Sequence, residues 1–385
     1  MIKSVEPIII SIPRDTPYLG PLEDGNKPTP QGYFIRPGNK SIYHLTDQSV
    51  LVKVTIEDGT VGWGECVAFY APEIVKTIIE ELVGPLLIGK DPQDVLMIYE
   101  DLYDAMRVRG FFGGFYHDAL AGIDIALWDL KGKELRQPVA ALLGSKRYKK
   151  LPGYVSGLPE NTIDKRADLA KKWIDSGFDA FKFASAVSAD GIMPEMEALR
   201  TAVGSKPKIL IDMHWKFNAA EAIAMIHKLN QFDLYVAEAP VKPEDIAGQA
   251  LVVRSVPVQV AIGEELRTIY EYRPRFEQLC MHVIQPEMGR TGLTSMWNIC
   301  QMSQAFNMTV MPHASIGVGI FQAASLQVAA ALNNLVYHEY QHSIFDKNLK
   351  YLNTTMSCSE GFFMVPQEPG IGAEPNESLF QFVKK

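Results

Sequence analysis

The chain has 385 residues, of which 47% are hydrophobic and 21% are charged; this excludes disordered and fibrous proteins and is typical of one large or two unequal globular domains. The net charge is −8, and the strongest cationic run is Lys146, Arg147, Lys149 and Lys150, so we expect no nucleic-acid partner. Uninterrupted apolar stretches fall short of about 18 residues, so we expect no membrane span.

The first third of the chain is typical of an α+β domain. The predicted strands, rich in β-branched residues, are Val5–Ile12, Ser49–Glu57 and Thr60–Cys66. The predicted helices are Pro72–Leu86, Pro92–Arg107 and Asp118–Arg136. The Asp58-Gly59 pair predicts a tight hairpin between the last two strands. A long loop rich in Pro, Gly, Asp and Asn, at about residues 13–45, is interpreted as a lid, because long loops in compact domains commonly cover binding sites.

From about residue 150, short strands alternate with helical stretches. The predicted strands are Leu151–Ser156, Ala180–Ser185, Lys208–Met213, Leu234–Pro240, Val258–Glu264, His282–Glu287, Asn307–His313 and Val336–Tyr340. The helical stretches between them include Asp164–Ser176, Ala219–Leu229 and Gly292–Phe306. Because crossover helices join parallel strands, these units predict an α/β fold with a closed (β/α) barrel. An open doubly wound sheet is the alternative, and it lacks the expected Gly-x-Gly-x-x-Gly turn.

The end of the chain differs from a complete barrel. We expect no final helix after Tyr340, and the Gly- and Pro-rich segment Gly361–Ile371 predicts a tail that returns to the first domain. The predicted division is a capping domain at 1–140, a barrel at 141–345 and a C-terminal segment at 346–385. Four cysteines without a Cys-x-x-Cys pair, and an N-terminal apolar run too short for a signal peptide, favour a cytoplasmic location.

Three carboxylates end consecutive predicted strands. Asp212, Glu238 and Glu264 each follow an apolar run, and they are spaced 26 residues apart. Carboxyl ends of neighbouring barrel strands meet on the face where barrel enzymes place their chemistry. Adjacent anions need a counter-charge, and an oxygen donor set suits a hard cation such as Mg²⁺. Glu265 adjoins the third acid, so either member of that pair could be the ligand.

Acid–base groups end two further strands. Glu287 and His313 are again 26 residues apart, so a carboxylate on one strand could orient an imidazole on the next and make it a general base. His214 stands two residues after Asp212 and would point to the same side if the strand continued.

The chain resembles the enolase superfamily, in its mandelate racemase and muconate lactonizing enzyme branch. The motifs that carry the resemblance are Asp58–Glu65, Ala121–Lys133, Gln285-Pro286-Glu287 followed by Gly292, and Pro312-His313. It covers nearly the whole chain and implies a modified (β/α)₇β barrel beneath an α+β capping domain that the C-terminal tail completes. It also implies that the Mg²⁺ ligands are Asp212, Glu238 and Glu264.

Two positions depart from the branch. Its usual aspartate is replaced by Glu287, and its Lys-x-Lys pair is here Lys182-Phe183-Ala184, so the second basic group is absent. Lys182 is expected either to line the barrel or to contact the substrate or the metal ligands. Asp212-Met213-His214 resembles the Asp-x-His arrangement of the branch's sugar-acid dehydratases of the galactonate type, in which the histidine is the acid.

The expected activity is dehydration of an aldonate or aldarate to a 2-keto-3-deoxy acid. His313, oriented by Glu287, would remove the C2 proton to give an ene-diolate, and His214 would protonate the departing C3 hydroxyl. Glu339 would either hydrogen-bond the substrate carboxylate or be an ordinary loop carboxylate. The loop of residues 13–45 and the segment Glu65–Tyr70 are expected to cover the barrel mouth, and the loop residues assigned to substrate binding are Arg14, Tyr18 and Arg36, with Tyr33 nearby.

Three other functions remain open. A racemase, epimerase or lactone cycloisomerase would use the same fold, although Ala184 disfavours chemistry with two opposed bases. A non-catalytic binding protein would have no need of the complete set of acids and histidines. A nucleotide-binding oxidoreductase lacks its fingerprint. The resemblance further implies a homo-oligomer.

Overall fold

A computed structural model describes residues 1–23, 25–144, 147–188, 190–315 and 317–384. Lys146 of the cationic run therefore lies outside the described residues. Within these ranges, every helix is too short or too polar to cross a lipid bilayer.

The capping domain is built on an antiparallel sheet. Its five strands are β1 (Ile2–Pro13), β2 (Tyr33–Ile35), β3 (Ile42–His44), β4 (Thr46–Ile56) and β5 (Val61–Val67). The sheet order is β1-β4-β5, and β2 and β3 form a separate hairpin inside the loop of residues 13–45. The predicted turn at Asp58-Gly59 joins β4 to β5, with the Thr60 amide donating to the Asp58 carboxylate at 2.8 Å.

All three helices predicted for this domain have different bounds in the structure. They are α1 (Pro72–Thr77), α2 (Val95–Arg107), α3 (Gly114–Glu134) and the short α4 (Val139–Leu142). The single helix predicted over 72–86 is instead α1 continued by a π-helical turn at Ile78–Val83 and a 3₁₀ turn at Gly84–Leu87. Pro85 removes a backbone donor at that point, so a regular α-helix cannot run through it.

Helix α3 packs between the capping sheet and the barrel and is buried over most of its length. Its Asp124 accepts hydrogen bonds from the Thr294 amide at 2.7 Å and the Thr294 hydroxyl at 2.6 Å. Burial raises the pKa of Asp124 to about 6. These bonds tie the capping domain to the helix behind the sixth barrel strand.

The second domain is a closed parallel barrel. Its strands are β6 (Lys150–Ser156), β7 (Ala180–Ala184), β8 (Lys208–Asp212), β9 (Leu234–Glu238), β10 (Gln259–Ile262), β11 (Val283–Ile284), β12 (Thr309–Val310) and β13 (His338–Tyr340). The strands pair in chain order. The barrel closes because β13 pairs with β6 and Leu335, just before it, bridges to Val310.

Seven helices join the eight barrel strands. They are α5 (Ile163–Asp175), α6 (Ile192–Val203), α7 (Ala219–Leu229), α8 (Ile246–Ser255), α9 (Ile269–Glu277), α10 (Met288–Ala305) and α11 (Ile320–Ala331). The predicted (β/α)₇β architecture is confirmed, and the doubly wound alternative is wrong. Helix α10 begins four residues before its predicted start and is kinked at Gly292, whose φ of +69° favours glycine.

The C-terminal segment contacts the barrel before it reaches the capping domain. It contains α12 (His342–Asn348), β14 (Leu352–Thr354), β15 (Ser357–Ser359), β16 (Phe362–Met364) and β17 (Ala373–Pro375). The short α12 corrects the expectation of no helix after Tyr340. Strand β16 pairs antiparallel with the start of β6, and Val383 then bridges to Ile10 of β1. The tail therefore joins both domains.

Candidate active site

A cavity of about 220 Å³ lies at the carboxyl ends of the barrel strands, between the barrel and the capping domain. The capping side contributes Tyr18, Tyr43, Phe69 and Tyr70. The residues proposed from the sequence that line it are Tyr18, Lys182, Asp212, His214, Glu264, His313 and Glu339. Glu238 and Glu287 are buried directly behind this lining and bond to it.

A layer of eight buried residues fills the barrel below the cavity, and each of them lies in, or directly beside, a different barrel strand. It comprises Tyr154, Ala180, Leu210, Val236, Ala261, Val283, Met311 and Tyr337. Because strand side chains alternate between faces, the residue two positions after each of these points into the barrel one layer higher. That upper layer comprises Ser156, Lys182, Asp212, Glu238, Gly263, Gln285, His313 and Glu339. The functional groups therefore converge because each follows an interior apolar residue by two positions.

The fifth strand is the exception, since its upper-layer position is a glycine. Gly263 has φ +133°, and a Cβ there would lie 2.2 Å from the Tyr272 hydroxyl oxygen. The irregular backbone brings Glu264 to the cluster, where its carboxylate lies 2.8 Å from His313 Nε2. Glu265 instead accepts from the Gly263 amide at 3.2 Å. Of the two adjacent acids, the structure thus brings Glu264 to the other predicted ligands.

Lys182 is the central cation of the upper layer. Its ammonium group lies 2.6 Å from Glu238 and 2.9 Å from Glu339, and the side chain is almost fully buried. Gln285 donates to the other oxygen of Glu238 at 2.6 Å. Lys182 is therefore bound to two carboxylates, which answers the question of its environment left open by the sequence.

The carboxylates of the cluster suit a divalent cation. Burial, together with neighbouring negative charge, raises the pKa of Asp212 and of Glu238 to about 7 even though Lys182 opposes both shifts. An additional positive charge would relieve this unfavourable concentration of acids, and oxygen donors are those that hard cations prefer. The donor atoms of Glu238, Glu264 and His313 lie within 4.8 Å of one another. This group includes His313 and leaves out Asp212, whose carboxylate lies 3.0 Å from His214 Nε2.

His313 and Glu287 form the predicted pair. The two residues bridge between neighbouring strands, and His313 Nδ1 lies 2.7 Å from the Glu287 carboxylate. Glu287 also accepts from the amides of Gly289 and Ser315 at 3.2 and 2.8 Å, so the longer side chain reaches the ring and is held in place. Burial alone would lower the pKa of His313, but the carboxylates of Glu264, Glu339 and Glu287 outweigh it and raise that pKa well above the ordinary value.

His214 reaches the cavity by a different route from the one expected. Strand β8 ends at Asp212, and His214 and Trp215 both have left-handed backbone angles, with φ of +49° and +51°. The chain curls back, so that the His214 amide donates to Asp212 at 2.8 Å and Nε2 lies 3.0 Å from the same carboxylate. Burial lowers the pKa of His214. The strand therefore does not continue to His214, although the His214 ring does adjoin Asp212.

The loop of residues 13–45 places one of its three predicted binding residues in the cavity. Tyr18 lines it, and its hydroxyl accepts from the Gln341 side chain at 3.0 Å. Arg14 instead pairs with Asp47 and lies over the Tyr18 ring. Arg36 is buried and donates to the carbonyls of residues 18, 20 and 21. Neither arginine lines the cavity, so we correct their assignment: both hold the shape of the loop.

Three residues in or beside the cavity were missed by the sequence analysis. Gln285 lies two positions before Glu287, so strand alternation could have identified it. Tyr43 lines the cavity from the hairpin of the loop, and Arg290 lines it from the first turn of α10. The positions of both side chains in the cavity depend on how the two domains pack together. Arg290 had no periodic pattern that could have revealed it.

Glu65 connects the capping domain to the segment that follows His313. It is completely buried, accepts from the Ser49 hydroxyl at 2.6 Å, and accepts from the backbone amides of Val318, Gly319, Ile320 and Phe321. Those amides begin α11, so a carboxylate of one domain caps a helix of the other. The predicted covering segment at Glu65–Tyr70 is thereby attached to the barrel.

Comparison with known families matches both domains. The mandelate racemase / muconate lactonizing enzyme N-terminal domain matches residues 31–144, and the enolase C-terminal domain-like family matches residues 165–379. The D-galactarolactone cycloisomerase of Agrobacterium fabrum is 29% identical over 349 residues, covering 86% of this chain and 90% of that protein. The arabinonate dehydratase of Saccharolobus solfataricus is 27% identical over 342 residues, covering 87% and 90%.

Solved structures show the same architecture. A structure from Sinorhizobium meliloti is 47% identical and covers 100% of this chain and 99% of that one, with a TM-score of 0.98. A racemase from Streptomyces coelicolor A3(2), solved with bound magnesium, is 23% identical, with a TM-score of 0.85 and complete coverage of both chains. The second likeness is one of fold alone.

Proposed function

The chain belongs to the mandelate racemase and muconate lactonizing enzyme branch of the enolase superfamily, and from this premise we propose that it is a Mg²⁺-dependent dehydratase of sugar acids. One observation carries the proposal: His214 and His313 line the same cavity together with Asp212 and Glu264. A base and an acid beside an acidic cluster are the groups needed to remove a proton and expel a hydroxyl.

The acidic cluster would hold the cation through Asp212, Glu238 and Glu264. A bound Mg²⁺ supplies positive charge that stabilises the negative charge developing on the substrate carboxylate. Lys182 keeps Glu238 and Glu339 in place by its two ion pairs. Because the carboxylates are buried, water is largely kept from the place where charge develops, which strengthens each electrostatic contact.

His313 is the proposed base for the C2 proton. Glu287 accepts a hydrogen bond from Nδ1, which fixes the ring. Nε2, here 2.8 Å from Glu264, would be the atom that accepts the proton once Glu264 serves as a ligand of the cation. Because the Glu287 carboxylate also accepts two backbone amides, the ring cannot turn without breaking several bonds.

His214 is the proposed acid for the C3 hydroxyl. Asp212, 3.0 Å from Nε2, supports the protonated ring against the effect of burial. Hydroxide is a poor leaving group, so donation of a proton contributes roughly 10²- to 10⁴-fold to the rate. The second strand offers no opposed base, since Lys182 is bound to two acids and position 184 is alanine; this favours elimination over racemisation.

Cycloisomerisation of a sugar lactone is the second candidate. It is favoured by the similarity to the D-galactarolactone cycloisomerase. The same base and acid would break the carbon–oxygen bond of a ring ester in place of the bond to a free hydroxyl, with no release of water.

The test incubates the purified chain and Mg²⁺ with aldonic acids, aldaric acids and their lactones, and measures 2-keto-3-deoxy products and exchange of the C2 proton with deuterated solvent. H313N should lose both exchange and product. H214N should lose product and keep exchange, because its base is intact. Full dehydration by either variant would overturn the assigned roles, and conversion of lactones alone would favour cycloisomerisation.

A further inference from the structure

Arg290 is a cation of the cavity that contacts none of the carboxylates in the described part of the chain. It stands in the first turn of α10 and lines the cavity. Among the described residues, no carboxylate lies within 4.0 Å of its guanidinium group, and its buried Nε has no hydrogen-bond partner. Its Cζ lies 5.8 Å from the centre of the Phe69 ring, so the aromatic face supports the group from the capping side.

The acids around Arg290 are engaged elsewhere. Asp118 forms a two-pronged pair with Arg267, at 2.9 and 3.2 Å. Glu287 is occupied by His313 and by two backbone amides. A partly buried guanidinium without a partner is unfavourable, and its planar donors match a carboxylate in a two-pronged geometry. A carboxylate of the ligand would supply the ion-pair partner that the guanidinium lacks.

Lys182, a second cation of the cavity, is in a different environment from Arg290. Lys182 already contacts Glu238 and Glu339 and lies within the acidic cluster, where the reacting carboxylate of the substrate is expected. Arg290 forms no ion pair within 4.0 Å with the acids of that cluster among the described residues, although Glu264 and Glu287 are near enough to act on its charge. It adjoins Phe69 and Tyr70 of the capping domain, so a substrate whose reacting carboxylate lies at the acidic cluster would extend its other end toward Arg290.

We propose that Arg290 binds a second carboxylate of the substrate, so that the preferred substrates are aldaric acids or their lactones and not aldonic acids. This inference rests on the proposed function for the orientation of the substrate, with the reacting end at the acidic cluster.

The experiment compares galactarate with galactonate, which differ only in a carboxylate or a hydroxymethyl group at C6. We expect the unaltered protein to prefer galactarate, or another aldarate over the aldonate of the same configuration. R290Q should lower kcat/KM for the aldarate about 100-fold, mainly through KM, and change the aldonate value less than 3-fold, because only the aldarate loses a buried charge pair. R290K should retain part of the preference, since it keeps the charge and loses the two-pronged geometry.

R273Q is the matched control, because it removes the same charge from an exposed position of α9 and leaves both the cavity lining and the Arg267–Asp118 pair intact; its aldarate-to-aldonate ratio should equal that of the unaltered protein. An equal loss on both substrates in R290Q, or an unchanged ratio, overturns the inference and leaves the dehydratase proposal standing. Thermal shift by galactarate or glucarate with Mg²⁺ separates the two ideas. A shift that R290Q abolishes supports the inference even if no sugar acid is turned over, and the absence of a shift in the unaltered protein overturns it.

Discussion

The barrel strand ends and the loop of residues 13–45 form two sides of one cavity, and their residues are held in different ways. On the barrel side, Lys182 is bonded to Glu238 and His313 to Glu287 across neighbouring or nearby strands, whereas Asp212 and His214 bond to each other at the end of one strand. On the loop side, Tyr18 is placed by a loop that Arg36 organises through carbonyls of that same loop. Its described side-chain bond to the barrel is the one to Gln341.

The difference separates chemistry from recognition. Groups that must hold a charge or move a proton need a fixed geometry, and cross-strand bonds between buried side chains provide it. Groups that distinguish one substrate from another can stand on a loop whose internal contacts keep its shape. Substitutions on the two sides should therefore affect different kinetic constants.

The largest expected effect is that of E238Q, on the barrel side. It removes a proposed ligand and one of the two acids that hold Lys182, so turnover should fall by about 10³-fold or more. Stabilisation by Mg²⁺ in thermal unfolding should be lost in the same variant. E197Q, which changes an exposed acid on α6, is the control and should keep both. Retention of the Mg²⁺ effect in E238Q would contradict the assignment.

The second prediction concerns Asp124, which joins the capping domain to α10, and it is a dependence of the free energy of unfolding on pH. The folded-state pKa of Asp124, about 6, lies above its ordinary value of 3.8. Its contribution to stability is thus fully present below pH 4 and is lost as the pH rises through 6, by roughly 3 kcal/mol. The difference in unfolding free energy between the unaltered protein and D124N should fall by that amount from pH 4 to pH 7, measured by urea unfolding.

The exposed Asp168 on α5 supplies the control for this measurement. D168N should show no such dependence on pH. A difference between D124N and the unaltered protein that is flat or rises over the same range would show that Asp124 does not bear the cost of burial.

The third prediction addresses the contact between the two sides. E65Q replaces a carboxylate that accepts several backbone amides of α11, so the free energy of unfolding should fall by about 2 kcal/mol. Because the same segment follows His313, kcat should fall as well. Urea unfolding and steady-state kinetics measure the two effects, and loss of stability without any change in kcat would show that the segment holds its position independently.

The smallest effect is expected on the loop side. Y18F removes the hydroxyl bonded to Gln341, and KM should rise about 5-fold with kcat unchanged, corresponding to about 1 kcal/mol. Y270F, at an exposed position of α9, should leave both constants unchanged. A fall in kcat without a change in KM would place Tyr18 among the groups needed for the chemistry, and would weaken the distinction between the two sides.

The barrel side was the more predictable of the two. Asp212, Glu238 and His313 follow apolar strands, and the alternation of inward and outward side chains can be followed in the sequence. The carboxyl ends of parallel barrel strands all lie at the same face of the barrel. His214 was identified by its proximity to Asp212, but its left-handed backbone could not be foreseen, because residues other than glycine rarely adopt positive φ. The position of Glu264 beside the cluster depends on the irregular Gly263.

The loop side was less predictable because its contacts depend on folding in three dimensions. Arg14 and Arg36 were assigned to the substrate on charge alone, whereas Asp47 and the loop carbonyls compete successfully for them. Arg290 was missed for a related reason, since its surroundings come from the capping domain. Local sequence patterns describe strands well and describe the meeting of two domains poorly.

The apolar layer from Tyr154 to Tyr337 has a consequence for the order of events in turnover. Because it fills the barrel interior, the cavity has no exit through the barrel, and a ligand enters and a product departs by the same mouth. A second molecule cannot take its place until the first has gone. The rate at which molecules pass this mouth therefore sets an upper limit on turnover, however fast the bond-breaking step becomes.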